Sequence, residues 1–256
     1  MTAENHPLSP WWSAARHADN RPFLQARSAI SKAVRTWFDE QGFTEVETAI
    51  LQVSPGNETH LHAPRTELHG ADGTHATRYL RTSPEFACKK LLAAGERKIF
   101  EFARVFRDRE RGALHLPEFT MLEWYRADAS YDAVMADSVV LIAHAVQATG
   151  IGQFSFRGRI ADPFAEPELL TVAAAFERFA AIDLLATIAD GEGDRARLAE
   201  AAKEKVRVTD DDTWSDIFSK VLVEHVEPNL GQGRLTVLFE YPVPEAALAQ
   251  IGRAHV

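Results

Sequence analysis

The sequence predicts an α+β fold built on an antiparallel sheet. Residues 97–107 and 118–128 are two alternating apolar runs that flank a charged loop, which is the pattern of a long β-hairpin. Segments with helical periodicity precede, separate and follow the predicted strands, without the regular strand–helix alternation of a βαβ array. The order helix, strands, helix, hairpin, helices therefore favours an antiparallel sheet flanked by helices.

The first predicted element is a helix between Asn20 and Gly42. Asn20 is a suitable N-cap, Pro22 belongs near the first turn, and Gly42 suits the position that ends a helix. Apolar residues at helical spacing form one face, namely Phe23, Ile30, Val34, Trp37 and Phe38. Residues 1–20 are predicted to form a flexible leader.

Extended segments and a short helix precede the hairpin. Strands are predicted at residues 43–53, 61–68 and 79–82, which are rich in β-branched and aromatic residues or bounded by turn residues. Ser83 is predicted to cap a helix that has Pro84 at its first position and stops at Gly95.

Helices dominate the prediction after the hairpin. An apolar helix follows Ser130 through residues 131–149 and is ended by Gly150. Further helices are predicted at residues 172–179, 194–206 and 212–226, and a last strand at residues 235–241.

Composition restricts the class of protein. The chain has 256 residues, 46% of them hydrophobic, no apolar run of membrane-spanning length and no signal peptide at its start. Its one cysteine, Cys88, cannot form an internal disulfide, so a cytoplasmic protein is expected. The formal net charge of -9 disfavours broad nucleic-acid binding.

Common nucleotide, metal and hydrolase motifs are absent from the sequence. It holds no G-x-G-x-x-G after a strand, no G-x-x-x-x-G-K-[ST], no H-E-x-x-H, no paired-cysteine zinc motif and no G-x-S-x-G. A phosphate would therefore have to be bound by side-chain cations on a sheet.

The return strand of the hairpin carries the candidate site. A period of two places Phe119, Met121, Glu123 and Tyr125 on one face. An aromatic ring, a carboxylate and a phenol on one face suit a planar ring and a cationic group better than they suit a core.

Arg107 ends the outgoing strand. Its guanidinium can bind a phosphate through two parallel hydrogen bonds. The alternative is a surface arginine paired with Asp108 or Glu110.

Other polar residues are interpreted structurally. His60 and His62 lack a third ligand at metal spacing, so no metal site is predicted. Cys88 is predicted to be a small buried hydrophobic residue. Residues 210–212, three aspartates, are predicted to form a solvated turn and a helix N-cap.

Three segments carry a family resemblance. FRD at 106–108 followed by H-x-PEFTMLE at 115–123 resembles the second signature motif of class II aminoacyl-tRNA synthetases in its lysine-specific form. GFTEVET at 42–48 resembles their first motif, and TSPEF at 82–86 resembles their amino-acid-binding loop. The three occur in the family order, and the likeness covers about residues 20–250.

A narrower resemblance is to the elongation factor P–(R)-β-lysine ligases. It rests on MLEWYR at 121–126, on TSPE at 82–85, and on the expected lack of an N-terminal anticodon-binding barrel. The resemblance implies that ATP, with Mg²⁺, activates (R)-β-lysine or lysine as an adenylate that is then joined to a lysine of elongation factor P. It further implies a homodimer, no membrane attachment, and no role for tRNA as a partner.

The resemblance also implies roles for individual residues. Arg107 would contact the α-phosphate, Phe119 would stack under adenine and His115 would lie near the distal phosphates. The full implied nucleotide-binding set is Arg107, Asp108, Arg109, Glu110, His115 and Phe119.

The implied amino-acid-binding set lies on the helix start and the return strand. Glu85 would bind the amino group nearest the carboxylate, and Glu123 with Tyr125 would hold the side-chain ammonium. Ser83 and Pro84 complete the set.

Three positions depart from the family pattern. Arg109 stands where a glutamate is usual, so either the loop is shifted by one residue, with Glu110 taking that place, or the adenine contact differs. Leu116 replaces an asparagine, and Ala49 replaces a proline.

The end of the chain also differs from the family. The glycine-rich third motif is not found, so we expect residues 21–250 to be a truncated catalytic domain that is inactive as it stands, about a hundred residues short. The final IGRAHV, residues 251–256, matches what a common sequencing adapter encodes, so a non-native tail is expected. Resequencing the locus tests this expectation.

Two alternatives remain open at this stage. One is an enzyme that charges tRNA with lysine or a relative of lysine. The other is a catalytically inactive regulatory protein that keeps the synthetase fold.

Overall fold

A computed structural model describes residues 12–54, 56, 61–112 and 114–246. The chain forms two compact units, Ser31–Val134 and the combination of Met1–Ile30 with Met135–Val256. The predicted catalytic domain spans both units, and the predicted tail lies outside the described residues. Among the described residues, no helix is long and apolar enough to cross a membrane.

Helix α1, Ala14–Glu40, begins earlier than predicted. The carbonyl oxygen of Ser13 accepts a hydrogen bond from the backbone N–H of His17 at 2.8 Å, and serine is a favoured N-cap residue. Asn20 is therefore inside the helix, as is Pro22. The predicted start is wrong because the turns before Asn20 also form helix and accommodate the proline, at a cost of about 3 kcal/mol.

The end and the buried face of α1 are closer to prediction. Gly42 follows the helix with a φ of +73°, which a glycine adopts without steric cost. Of the predicted apolar face, Val34, Trp37 and Phe38 are buried. Phe23 lies at the same helical spacing, but its side chain is 75% exposed, so the buried part of the face does not extend to it.

The unit Ser31–Val134 holds two sheets and a short helix. Its elements after α1 are β1 Thr44–Glu45, β2 Leu51–Gln52, β3 Arg65–His69, β4 His75–Leu80, α2 Glu85–Ala93, β5 Lys98–Phe106 and β6 Glu118–Arg126. The sheet orders are β1-β5-β6 and β2-β4-β3. The predicted strand at residues 43–53 is therefore two short strands, and the next two predicted strands shift by a few residues.

The hairpin of β5 and β6 is confirmed. The two strands are antiparallel over their full length, from Lys98 opposite Arg126 to Phe106 opposite Glu118. β1 lies parallel to β5 on its other side.

Aromatic residues of α1 pack on one face of this sheet. Phe38 is fully buried and stacks on Phe100 of β5 with 4.3 Å between ring centroids. Phe43 meets Phe38 edge to face at 4.9 Å. Because Phe100 faces α1, the alternate residues of β5, Ile99 and Glu101 among them, face the other side of the sheet.

Helix α3, Tyr131–Thr149, begins and ends as predicted. The elements after it are β7 Phe154–Phe156, β8 Arg159–Asp162, β9 Glu168–Thr171, α4 Val172–Ala180, β10 Ile188–Ala189, β11 Glu192–Gly193, α5 Arg195–Ala202, α6 Trp214–Val221, β12 Gly233–Arg234 and β13 Thr236–Phe239. A π-helical turn, Leu222–Val226, extends α6, and short 3₁₀ turns occupy Leu185–Thr187, Glu227–Asn229 and Val243–Glu245. Short strands pair in the orders β12-β8-β7, β13-β9 and β10-β11.

The core of this second unit is built from α4, α5 and α6. Phe218 stacks between Phe176 at 5.0 Å and Trp214 at 5.3 Å, measured between ring centroids. Thr213 caps α6 in a reciprocal capping box with Asp216. The prediction that the three aspartates at 210–212 supply the N-cap is thus wrong by one residue.

Phe38 and Phe23 offer a matched stability test within one helix. Phe38→Ala is expected to lower the free energy of unfolding by about 3–5 kcal/mol, because it leaves a cavity among stacked rings. Phe23→Ala is expected to change it by less than about 0.5 kcal/mol, since the ring is mostly exposed. Urea denaturation measures both values, and equal losses would contradict the burial assigned to this helix.

Candidate functional site

The site lies on the face of the hairpin that α1 does not cover. Glu101 stands directly opposite Glu123, and Val105 directly opposite Phe119. Directly opposed residues in an antiparallel pair project to the same side. Since β6 is continuous from Glu118 to Arg126, its odd-numbered residues share this face, as the sequence predicts.

A cavity of about 280 Å³ opens on the end of the face that carries Glu123 and Tyr125. It is lined by Glu85, Leu122, Glu123, Trp124, Tyr125 and Val134. Three of the five residues predicted to bind an amino acid, Glu85, Glu123 and Tyr125, are thus brought together around one cavity.

Glu123 is surrounded by hydroxyl donors. Its Oε1 accepts a hydrogen bond from Ser83 Oγ at 2.6 Å, and its Oε2 accepts a short one from the Tyr125 hydroxyl. Within the described part of the chain no lysine, arginine or histidine forms an ion pair with it. The carboxylate is therefore oriented by neutral groups and carries an uncompensated charge toward the cavity.

Tyr125 stays a proton donor at neutral pH. Burial, the hydrogen bond to Glu123 and the charge of that carboxylate all raise the pKa of the phenol above its ordinary value. The phenol is consequently held in its neutral form, and its hydroxyl donates a hydrogen bond to the Glu123 carboxylate.

Ser83 connects the start of α2 to β6. Its hydroxyl oxygen accepts a hydrogen bond from the Glu85 backbone N–H at 3.0 Å while the hydroxyl proton is donated to Glu123. The helix begins at Glu85 with Pro84 at its N-cap, so the predicted cap and first position are each wrong by one residue. Ser83 nevertheless satisfies one N–H of the first turn and fixes Glu85 beside the cavity.

Glu85 is the second carboxylate of the cavity, and it has a cation. Lys89, one turn later on α2, places its Nζ 2.5 Å from Glu85 Oε1. The two carboxylates therefore differ: Glu85 is paired within its own helix, and Glu123 is not paired.

A buried polar network lies beside the site, on the same side of the sheet as Glu123. Arg81 and Glu101 form an ion pair at 2.6 Å with side chains only 4% and 3% exposed. Arg81 also donates to the carbonyl oxygens of Arg104 at 2.9 Å and Thr48 at 3.1 Å, and Thr48 Oγ1 donates to Glu101 Oε2 at 2.8 Å. These bonds satisfy most of the polar atoms of the pair.

Arg81 and Glu101 were not predicted from the sequence. One signal was present, because Glu101 is the single charge among the alternate residues Ile99, Ala103 and Val105. A carboxylate on an otherwise apolar face of a strand requires a buried partner or a ligand.

Cys88 is buried beside this network, as predicted. Its Sγ lies 3.8 Å from Glu101 Oε2. Burial, and then the charges of Glu101 and Glu123, raise the pKa of the thiol to about 12. Cys88 is therefore a packing residue and not a nucleophile at neutral pH.

Arg107 lies at the other end of the face. Its Nε donates to the carbonyl oxygen of Thr82 at 3.3 Å, and its Nη1 is 3.9 Å from Glu110 Oε2. The guanidinium carbon is 5.4 Å from the centroid of the Phe119 ring. The cation and the aromatic ring predicted to bind a nucleotide are thus adjacent, and the alternative partner Glu110 is at the limit of an ion pair.

The loop after Arg107 turns sharply at Arg109. That residue has a φ of +66°, and its backbone N–H donates to Asp108 Oδ1 at 2.9 Å. Asp108 in turn donates its backbone N–H to the His62 carbonyl oxygen at 2.7 Å. His60 lies outside the described residues, and no group of three metal-ligating side chains occurs in the part of the chain that the structure describes.

His115 lies in the exposed part of this loop. Its backbone and that of Gly112 exchange two hydrogen bonds at 3.4 Å, which close a small turn. Among the described residues, its imidazole forms no hydrogen bond with Arg107 and no ring stacking with Phe119. Phe119 and Glu123 are four residues apart on one strand, so the ends of the face predicted to bind a nucleotide and an amino acid are separated by about 13 Å.

Comparisons with known proteins place the chain among its relatives. Residues 4–243 match the family model described as tRNA synthetases class II (D, K and N). The chain is 33% identical over 253 residues to an elongation factor P–(R)-β-lysine ligase of Haemophilus influenzae, covering 98% of this chain and 69% of that protein.

Two further relatives carry the same name. The protein of Mannheimia succiniciproducens is 33% identical, with 89% of this chain and 64% of the relative covered. The protein of Pectobacterium atrosepticum is 34% identical, with 89% of this chain and 65% of the relative covered. The chain thus spans somewhat less than two thirds of the length of these two relatives.

The buried ion pair predicts that substitutions of a buried and an exposed arginine differ strongly in their effect on the free energy of unfolding. Arg81→Met is expected to lower the free energy of unfolding by about 3–5 kcal/mol, because Glu101 is left buried without a cation. Arg65→Met removes an exposed pair with Glu67 and is expected to cost less than about 1 kcal/mol. Chemical denaturation compares them, and a loss below about 1 kcal/mol for Arg81→Met would contradict the role given to this pair.

Cys88 predicts a pH-dependent labelling difference. At pH 8 its reaction with a disulfide reagent is expected to be about a thousandfold slower in the folded protein than in urea, since the thiol pKa rises from 9.0 to about 12. Because the raised pKa keeps the thiol protonated, the folded rate should keep increasing up to about pH 12, while the unfolded rate levels off above pH 9. Stopped-flow absorbance measures both, and equal rates at pH 8 would refute the assignment.

Proposed function

Because the chain belongs to the class II tRNA synthetase family and, within it, to the elongation factor P–(R)-β-lysine ligases, we propose that it serves ATP-dependent activation of (R)-β-lysine and its ligation to elongation factor P. The activated form is the aminoacyl adenylate. The acceptor is the side-chain amine of a lysine of elongation factor P.

The observation that carries the proposal is the state of Glu123. A half-buried carboxylate with two hydroxyl donors, and with no cation among the residues that the structure describes, favours a positively charged ligand over a neutral or anionic one. The ammonium at the end of a lysine-type side chain supplies that charge and keeps both hydroxyl bonds intact. The second amino group of the ligand lies at Glu85, on the same cavity.

The other end of the face is assigned to ATP. Adenine stacks on Phe119, and Arg107 binds the α-phosphate next to it, which fits the adjacency of ring and guanidinium. Asp108, Arg109, Glu110 and His115 are assigned to the same nucleotide by the family motif. The separation of about 13 Å along β6 leaves room for the reacting carboxylate and α-phosphate between the two ends.

Two displacements make up the proposed reaction. A carboxylate oxygen of the amino acid attacks the α-phosphorus of ATP, and the bond from that phosphorus to the bridging oxygen breaks, releasing pyrophosphate. The acceptor amine then attacks the acyl carbon, AMP leaves, and the amine loses a proton as the amide forms. Arg107 stabilises the charge that accumulates on the α-phosphate oxygens in the first step.

Mg²⁺ accompanies ATP in this family. In the described part of the chain no three carboxylate or imidazole groups converge in a way that fits a protein-bound metal ion. A homodimer formed through the first motif and a cytoplasmic location complete the proposal.

A parallel acceptor assay tests the proposed function. A full-length version of the protein is incubated with ATP, Mg²⁺ and (R)-β-lysine, and with elongation factor P in one arm and tRNA in the other. A mass increase of elongation factor P by one β-lysyl group is expected, with no charged tRNA. Charged tRNA would favour the aminoacylation alternative, and no amino-acid-dependent ATP–pyrophosphate exchange with any diamino acid would favour the inactive one.

Glu123 gives a binding prediction that does not require turnover. Glu123→Gln is expected to weaken binding of L-lysine at least about tenfold, because the ligand ammonium loses its charged partner. Isothermal titration calorimetry measures this. Glu118→Gln is the matched control, since Glu118 is exposed and projects from the opposite face of the same strand; equal affinities of the two variants would contradict the assignment of Glu123.

A further inference from the structure

The two carboxylates of the amino-acid cavity are in different electrostatic states. Glu123 is held by two hydroxyl groups and has no cation among the described residues. Glu85 has the Lys89 ammonium 2.5 Å away. A ligand ammonium that reaches Glu123 meets an unpaired charge, whereas one that reaches Glu85 meets a carboxylate already bound by the protein.

Lys89 has the properties of a displaceable cation. Its side chain is 44% exposed, against 23% for Glu85, so the ammonium can move into water while the carboxylate stays at the cavity. The four-carbon stem of lysine is flexible, and its ammonium is strongly hydrated. An exposed pair of this kind is weak, which makes it a competitor for a ligand and not a permanent block.

We propose that Lys89 is a specificity-determining residue that acts as an internal ammonium for Glu85. A ligand must displace it before a second amino group can bind there. Lys89 thereby weakens selection for the amino group nearest the ligand carboxylate and leaves selection at Glu123 unchanged. This inference rests on the proposed function, because it takes the cavity to be the amino-acid site.

The size of the effect follows from the strength of the pair. A glutamate followed four residues later by a lysine is the favourable orientation on a helix, and such a pair is modestly populated in water. Competition by a group of that strength raises the apparent dissociation constant of the second amino group by about two- to threefold. If the Lys89–Glu85 pair only stabilises α2, removing Lys89 leaves the ligand selectivity unchanged.

Two ligands isolate the amino group in question. L-Lysine and 6-aminohexanoate share the carboxylate and the terminal ammonium, and only lysine has the amino group assigned to Glu85. The ratio of their dissociation constants, measured by calorimetry at one pH and ionic strength, reports recognition of that group. General changes in fold or in the Glu123 contact cancel in this ratio.

Lys89→Met is compared with Lys90→Met, its neighbour on α2, whose ammonium makes no ion pair with a described residue. Methionine keeps the length and the helix propensity of lysine. In Lys89→Met the selectivity ratio in favour of lysine is expected to rise about two- to threefold over the unsubstituted chain. In Lys90→Met the ratio should stay unchanged.

The outcomes separate the two proposals. If the unsubstituted chain binds lysine and the ratio in Lys89→Met is unchanged or falls, the role of Lys89 is overturned and the proposed function stands. If the unsubstituted chain binds neither ligand, both are overturned. Lys89→Gln repeats the test with a polar side chain, and circular dichroism confirms that α2 is retained.

Discussion

The Arg81–Glu101 ion pair is the interaction on which the site depends. Burying two charges is costly unless each finds further hydrogen bonds, and here Thr48 and the Arg104 carbonyl supply them. Through these bonds the pair connects three parts of the chain. They are the segment after β1 that holds Thr48, the strand β5, and Arg81, which precedes the loop to α2. The Arg81 carbonyl oxygen also accepts the Phe106 N–H at 2.9 Å. The loop that carries Ser83 is thereby fixed against the end of β5, next to Arg107.

Two glutamates placed directly opposite each other acquire different roles from their surroundings. Like charges at opposed positions of an antiparallel pair repel, so Glu101 and Glu123 both require compensation. Glu101 receives it from Arg81 within the fold. Among the described residues Glu123 receives only the hydroxyls of Ser83 and Tyr125, and the proposed function supplies the missing positive charge from the ligand. A structural carboxylate and the carboxylate proposed to bind the ligand therefore stand side by side on one sheet.

The sequence was sufficient where structure is local and insufficient where it depends on distant partners. The hairpin and α3 were predicted because period and caps lie within each segment. β7, β8 and β9 were missed because strands of three or four residues show too little alternation to be recognised. For the site, the period of two was enough to group Glu123 with Tyr125. Arg81 was missed because its partner Glu101 is separated by 20 residues and identified only by the fold.

The turn at Arg109 is held by its neighbours in the loop. A left-handed φ in a non-glycine residue costs about 1 kcal/mol, and here the Asp108 side chain holds the turn. The turn directs Arg109 toward His62, with Nη1 3.5 Å from Nε2, and brings Glu110 to 3.9 Å from Arg107. Glu110 is therefore the loop carboxylate that lies near the motif arginine, while the adenine contact of this loop stays a prediction.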